Sequence, residues 1–166
     1  MKILMVCLGN ICRSPLAEGI FRQRLDELQL NWEVDSAGTS GFHAGEQPDP
    51  RSIQIADNHG LDIRSQVSRP IRRDDFQAFD YIFAMDGANL QNLLEMNPSD
   101  QSKSRIHRFL EFAEEPTLDV PDPYYDDQGF ARVFQLLDKA SDRVIQRIIE
   151  ETGGMTEGVK THMMSI

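Results

Sequence analysis

The stretch ILMVCLGNICRSPLAEGIF, residues 3–21, decides how the rest of the chain is read. It begins as an apolar run that stops at Cys7. It continues, after a short loop, with Ser14-Pro15 and a stripe of Leu16, Ile20, Leu25 and Leu28 at roughly helical spacing. Ser14 is expected to cap that helix, with Pro15 at its first position, where a missing N–H costs nothing. A buried strand, a short loop and a helix are the opening unit of an α/β fold.

The same alternation runs outward from this unit. WEVDSAG (32–38) reads as a second strand ended by Gly38. A helix is expected from about Pro50, closed by Gly60. FDYIFAMD (79–86) reads as a third strand, GANLQNLLEMN as a short helix halted at Asn97-Pro98, and SRIHRFLEF (104–112) as the place of a fourth strand. DVPDPYYDDQG (119–129) is a loop rich in Pro and Asp. Phe130, Val133, Phe134, Leu137, Ala140, Val144, Ile148 and Ile149 then mark a long amphipathic helix. Strands alternating with helices imply a parallel sheet with helices on both faces, in which ligands bind beyond the carboxyl ends of the strands.

The chain of 166 residues, 40% hydrophobic, is sized for one domain, expected over residues 1–151, with an unpatterned and mobile tail at 152–166. No run approaches the ~18 apolar residues of a membrane span, and residues 1–7 are too few for a signal peptide, so a cytoplasmic protein is expected. Two cysteines in one loop make no disulfide framework. A net charge of −10 disfavours nucleic acid and acidic membranes as partners. The one basic cluster, Arg64, Arg69, Arg72 and Arg73, is followed at once by Asp74 and Asp75 and reads as a solvated surface.

The chemistry is expected in the loop Cys7–Ser14. A loop between a strand and a helix start can turn its N–H groups inward, and with the helix dipole it forms an anion site. Gly9 would permit the backbone angles of such a nest. Arg13 offers a planar fork to two oxygens of a tetrahedral oxyanion. The same field favours the thiolate of Cys7, which is then aimed at the centre of the anion pocket as a nucleophile toward phosphorus. No G-x-x-x-x-G-K-[ST] or G-x-G-x-x-G occurs, which excludes the two common nucleotide loops. With two cysteines and no histidine near them in sequence, a zinc site is excluded as well. Cys12 is read either as packing beneath the loop or as a redox partner that captures an oxidised Cys7.

Expelling an alkoxide or phenoxide from a phosphate ester calls for a proton donor. Asp119, Asp122, Asp126 and Asp127 are all candidates. Asp122 lies between two prolines and just before Tyr124 and Tyr125, which could wall a slot for a flat leaving group.

Together, VCLGNICRSP, DSAGTS (35–40), PDPRS, NHG, FDYIFAMD with Asn89 beyond it, and DPYY (122–125) resemble the low-molecular-weight protein tyrosine phosphatases, in the right order over about residues 1–150. The resemblance implies a four-stranded parallel sheet in a Rossmann-like three-layer sandwich, and no metal or organic cofactor. It implies Cys7 as nucleophile through a phosphocysteine, Arg13 as transition-state stabiliser and Asp122 as general acid and then base. The phosphate-binding loop would be Leu8, Gly9, Asn10, Ile11, Cys12, Arg13 and Ser14, held by Asn10, Ser14 and Ser36. The substrate slot would be Ile11, Phe42, Tyr124 and Tyr125, with Phe42 standing where many members carry tryptophan. Ile11 resembles the tyrosine-specific branch, because the related protein-arginine phosphatases carry threonine there and an alkyl group cannot hydrogen-bond a guanidinium. The implied partners are phosphotyrosine proteins (were the chain bacterial, a tyrosine kinase among them) and the implied state is a monomer.

The chain departs from the family after NHG, where many members have a histidine and then ARQ or ARP. Ser65 and Ser68 stand at about those places, which leaves open what fixes Asn10. The alternative on this scaffold is arsenate reductase, whose thioredoxin-coupled type relays a disulfide through further cysteines; none follows Cys12. A non-catalytic phosphotyrosine-binding module would have no need of Cys7 and Asp122 together.

Overall fold

Strand β1 (Lys2–Cys7) is buried at every position after Lys2, and its side chains alternate between two cores. Ile3, Met5 and Cys7 pack with α1 (Arg13–Glu27), α2 (Pro50–Asn58) and α7 (Gly129–Thr152). Leu4 and Val6 pack on the opposite face with Phe76 of α3 (Asp75–Ala78) and Leu93 of α4 (Gly87–Glu95). A strand covered on both faces has no polar side to show, which is why its sequence is a continuous apolar run rather than an alternation.

The computed structural model describes residues 1–96 and 98–153. Around β1 it has β2 (Glu33–Gly38), β3 (Tyr81–Ala84) and β4 (Ile106–Arg108), all parallel in the order β2-β1-β3-β4. Two short helices, α5 (Asp100–Lys103) and α6 (Phe109–Phe112), flank β4. The chain leaves β1 toward β2 and returns to its other side for β3, so the strand order reverses next to β1. The loop after β1 therefore opens into the crevice where such sheets bind ligands.

Several expectations are corrected. Helix α1 begins at Arg13 with Cys12 at its cap position, so Ser14 lies inside the first turn and its hydroxyl is free for other work. The fourth strand does lie within 104–112, at Ile106–Arg108, and ends there because Phe109, Leu110 and Phe112 turn into α6 to reach the core. Helix α7 runs to Thr152, one residue past the expected boundary, and Gly153 closes it at φ 66°. The expected tail from residue 154, and Asn97, lie outside the described residues. Arg69 is no solvated surface cation: its guanidinium is clamped between Asp35 and Asp75 at 2.9–3.3 Å. Among the described residues no helix is long and apolar enough to cross a membrane.

Candidate active site

Five carbonyls of the stretch joining β1 to α1 are tied to the surrounding shell. Thr39 N–H donates to the Cys7 carbonyl at 2.9 Å, Ser40 N–H to Leu8 at 2.9 Å, and Asp49 N–H to Ile11 at 2.8 Å. The Ser68 hydroxyl takes Gly9 at 3.0 Å and the Ser52 hydroxyl takes Cys12 at 3.2 Å. With these carbonyls committed to the surrounding shell, the N–H groups of residues 8–12 donate to no protein group among the described residues, which leaves them available to an anion nest. Gly38 makes this approach possible. A Cβ there would stand 2.7 Å from the Leu8 carbonyl oxygen and 3.2 Å from Asn10 N.

The tight turn of the loop falls on Asn10, at φ 54°, and not on Gly9 as expected. Asn tolerates the left-handed region better than most side chains. Here the amide also accounts for itself. Asn10 Nδ2 donates to Ser14 Oγ at 2.8 Å and Ser36 Oγ at 2.9 Å, and its Oδ1 accepts Arg69 N–H at 3.0 Å. Gly9 instead gives room, because a Cβ on it would meet the His43 ring at 3.0 Å. Ser68, where the sequence leaves the family pattern, carries the Gly9 carbonyl; Ser65 is exposed and joins none of these bonds.

Cys7 Sγ lies 3.0 Å from Ser14 Oγ, so the hydroxyl that does not cap the helix is available to the sulfur. Arg13 extends beneath the loop with 3% of its side chain exposed. Its Nη1 meets Asp86 Oδ2 at 2.5 Å and the Val120 carbonyl at 3.1 Å, and its Nη2 reaches Asp122 Oδ2 at 3.4 Å. Burial opposes its charge, but Cys7, Asp86 and Asp122 outweigh that and hold the guanidinium firmly protonated. Its Nε–H is buried with no partner among the described residues, a donor that an oxyanion could satisfy. Asp86 is a site residue that the sequence reading does not single out. It caps α4 with Oδ1 on Asn89 N–H at 2.7 Å while Oδ2 grips Arg13, and an N-cap Asp at a strand end is the signal that could have found it.

Asp122 stands at the mouth, its Oδ1 accepting Tyr124 N–H at 3.1 Å. The cavity of about 360 Å³ is lined by Cys7, Leu8, Ile11, Cys12, Arg13 and Asp122 below, and by Phe42, His43, Tyr124 and Tyr125 at the rim. All four expected slot residues are thus brought together, and the structure adds His43 and Ser40 to them. Phe42 and Tyr125 are 84% and 96% exposed, an unusual state for aromatic rings. Cys12 and Cys7 are both free thiols on this cavity. Burial, reinforced by Asp49 and Cys7, pushes the Cys12 thiol up to about 12, so it is neutral. Among the described residues no cluster of His, Cys, Asp and Glu is arranged to hold a metal ion.

The chain is similar to known proteins over most of its length. The family model described as low molecular weight phosphotyrosine protein phosphatase matches residues 2–153. The human low molecular weight phosphotyrosine protein phosphatase is 42% identical over 138 residues, covering 81% of this chain and 87% of its own. The Schizosaccharomyces pombe protein of the same description is 39% identical over 144 residues, covering 83% and 91%. A crystal structure of a protein tyrosine phosphatase from Entamoeba histolytica superposes with a TM-score of 0.84 at 41% identity, covering 93% of this chain and 99% of that one. None of these relatives is an arsenate reductase, and nothing in them supports that alternative. With a matching model over nearly its whole length and relatives that share its fold and sequence, the chain belongs to the low molecular weight protein-tyrosine phosphatases, a family of hydrolases.

Proposed function

We propose that the protein hydrolyses phosphotyrosine on proteins by double displacement through Cys7. The observation that carries the reading is the loop itself: its carbonyls are bound outward around a sulfur, over a buried arginine with an unused N–H. A phosphoryl group seated there gives its oxygens to the inward N–H groups and to Arg13. The Cys7 thiolate, supported by the Ser14 hydroxyl, attacks phosphorus; the S–P bond forms as the P–O bond to the tyrosine breaks. The Asp122 carboxyl gives its proton to the departing phenolate. As a carboxylate it then takes a proton from the water that attacks the phosphocysteine, and inorganic phosphate leaves with Cys7 restored.

Ile11, Phe42, Tyr124 and Tyr125 grip the phenyl ring, and the alkyl wall of Ile11 gives a guanidinium nothing to bond. A reducing cytoplasm keeps both thiols available. Under peroxide, a Cys7 sulfenic acid condenses with the Cys12 thiol, forming the S–S bond and releasing water, which guards Cys7 from irreversible oxidation.

The test is hydrolysis of phosphotyrosine, phosphoserine and phosphoarginine peptides by the wild type and Cys7→Ser, with reductant and without metal. Cleavage of phosphotyrosine alone, reduced at least ~10³-fold in Cys7→Ser, is expected. Preferred cleavage of phosphoarginine would overturn the Ile11 argument. Equal turnover in Cys7→Ser would overturn the mechanism.

A further inference from the structure

Asp119, one of the four acids weighed as a proton donor, does not line the cavity. It stands half-exposed at the base of the loop that carries Asp122, and its Oδ1 is held from two sides. Gly87 N–H, at the start of α4, donates to it at 3.0 Å, and Arg108 Nη1, from the end of β4, at 3.1 Å. Arg108 is itself fixed: its side chain is mostly buried and its Nε meets Glu111 Oε2 at 3.4 Å. A carboxylate set against both a helix start and a guanidinium is favoured by the helix dipole and by charge-assisted bonds. Gly87 leaves room for this clamp, since a Cβ there would lie 3.3 Å from Arg108 Nη1.

The next residue ties this clamp to the site. Val120 is fully buried; its N–H donates to the Met85 carbonyl at 2.8 Å, and its carbonyl accepts Arg13 Nη1 at 3.1 Å. Asp86, between Met85 and Gly87, holds the same nitrogen with Oδ2. The end of β3, the start of α4 and the base of the acid loop are thus joined around Arg13. Upstream, Pro116, Thr117 and Leu118 make no backbone hydrogen bond among the described residues, so Asp119 is where the loop becomes fixed. Asp122 follows shortly after, between Pro121 and Pro123, whose fixed φ angles leave the chain little freedom over that distance.

We propose that Asp119, gripped by Arg108 and Gly87, is a positioning residue for the proton donor: it sets where the acid loop leaves the sheet and so how far Asp122 stands from a leaving oxygen. This role rests on the reading of Asp122 as the general acid. The Asp122 side chain has only the Tyr124 N–H and a 3.4 Å contact to Arg13 to place it, so its position is inherited from the base of its loop. Proton donation suffers quickly from misplacement, because the donor must come within hydrogen-bond reach of the oxygen it protonates. Without the Asp119 carboxylate, Val120 still holds Arg13 and the Cys7 loop keeps its bonds. Phosphoryl binding and nucleophilic attack therefore persist while protonation of the leaving group weakens.

The test compares kcat/KM of the wild type, Asp119→Ala, Asp119→Asn and Asp122→Ala on two substrates: a phosphotyrosine peptide and an aryl phosphate with a strongly acidic phenol, whose departure needs little protonation. Asp119→Ala is expected to lose about tenfold on phosphotyrosine and less than about twofold on the acidic phenol. Asp119→Asn keeps an oxygen that accepts from Gly87 and Arg108, and is expected to come within about twofold of the wild type on both. An equal loss on both substrates in Asp119→Ala points to a merely structural role and overturns the proposal; so does an asparagine variant as slow as the alanine one. Should Asp119→Ala fail to fold, Arg108→Met, which keeps the apolar stem and removes the donors, takes its place under the same criteria. Asp122→Ala separates this role from the reading it rests on. If it shows the selective loss and Asp119→Ala does not, the acid assignment stands and the positioning role alone falls. If it shows none, the acid lies elsewhere and both fall.

Discussion

The loop that carries Cys7 and the loop that carries Asp122 face each other across one cavity, and they are built in opposite ways. In the first, most of the carbonyls and the Asn10 amide have partners from β2, the segment joining it to α2, α2 itself, α1 and the segment before α3. In the second, Asp122 has one backbone donor and one long contact to Arg13, and Tyr125 stands almost free. The difference fits what the proposed mechanism asks of each. A group of N–H donors stabilises a transition state only if it is already in place, since any reorganisation is subtracted from the gain. A proton donor has to meet a leaving group of variable shape, and a loosely tethered carboxyl can adjust.

Substitutions should sharpen that contrast. On the proposed mechanism, Asp122→Ala removes the proton donor and disturbs little else. It is expected to slow hydrolysis of phosphotyrosine by ~10²–10³, and of an aryl phosphate with a strongly acidic phenol far less, while the melting temperature stays within a few degrees. A variant equally fast on both substrates would mean that the acid is elsewhere. Asn10→Ala acts on the other loop, removing the hydrogen bonds of a buried amide and leaving alanine at a positive φ. A loss of about 2–4 kcal/mol of stability is expected, together with a drop in kcat of ~10-fold or more. If turnover fell with no change in melting, the loop would be less committed to its surroundings than its bonds imply.

Glu18 of α1, with 3% of its side chain exposed and one oxygen on Arg22 Nη2 at 3.2 Å, gives the fold a pH signature. Its carboxyl is raised from an unfolded value near 4.5 to about 7 in the folded protein, so the folded state holds the extra proton. Its stabilising contribution is complete below about 4.5 and is lost as pH rises through about 7, a decline of roughly 3 kcal/mol. Urea titrations over this range should show that decline in the wild type and not in Glu18→Gln. The smallest effect belongs to the rim. Tyr125→Ala should raise KM for phosphopeptides by about two- to fivefold and leave stability unchanged, because a ring already in water has no burial to lose.

Much of this architecture is legible in the amino-acid sequence alone. β1 and the stripe of α7 follow from residue patterns whose periods do not depend on distant contacts. That Cys7 and Arg13 would line one cavity is legible because they stand at the two ends of one short loop. The parts that escape the sequence have the opposite character. Helices α3, α5 and α6 span four residues each, too short for any period to register. Asp86 and Arg69 reach the loop from 73 and 59 positions away, and an acid or a cation in a charged chain carries no mark of its partner. The turn expected at Gly9 is made by Asn10, since glycine is the usual occupant of that region and only the shell around Asn10 explains the exception.

The carboxylate of Asp86 has a consequence beyond the site. One of its oxygens closes the start of α4 and the other holds Arg13, so one side chain ties the helix start to the floor of the cavity. An anion bound against Arg13 should therefore slow hydrogen exchange at the amide of Asn89, a residue on a different element that the anion never touches. Amide exchange at the head of α4 would then record the occupancy of the pocket.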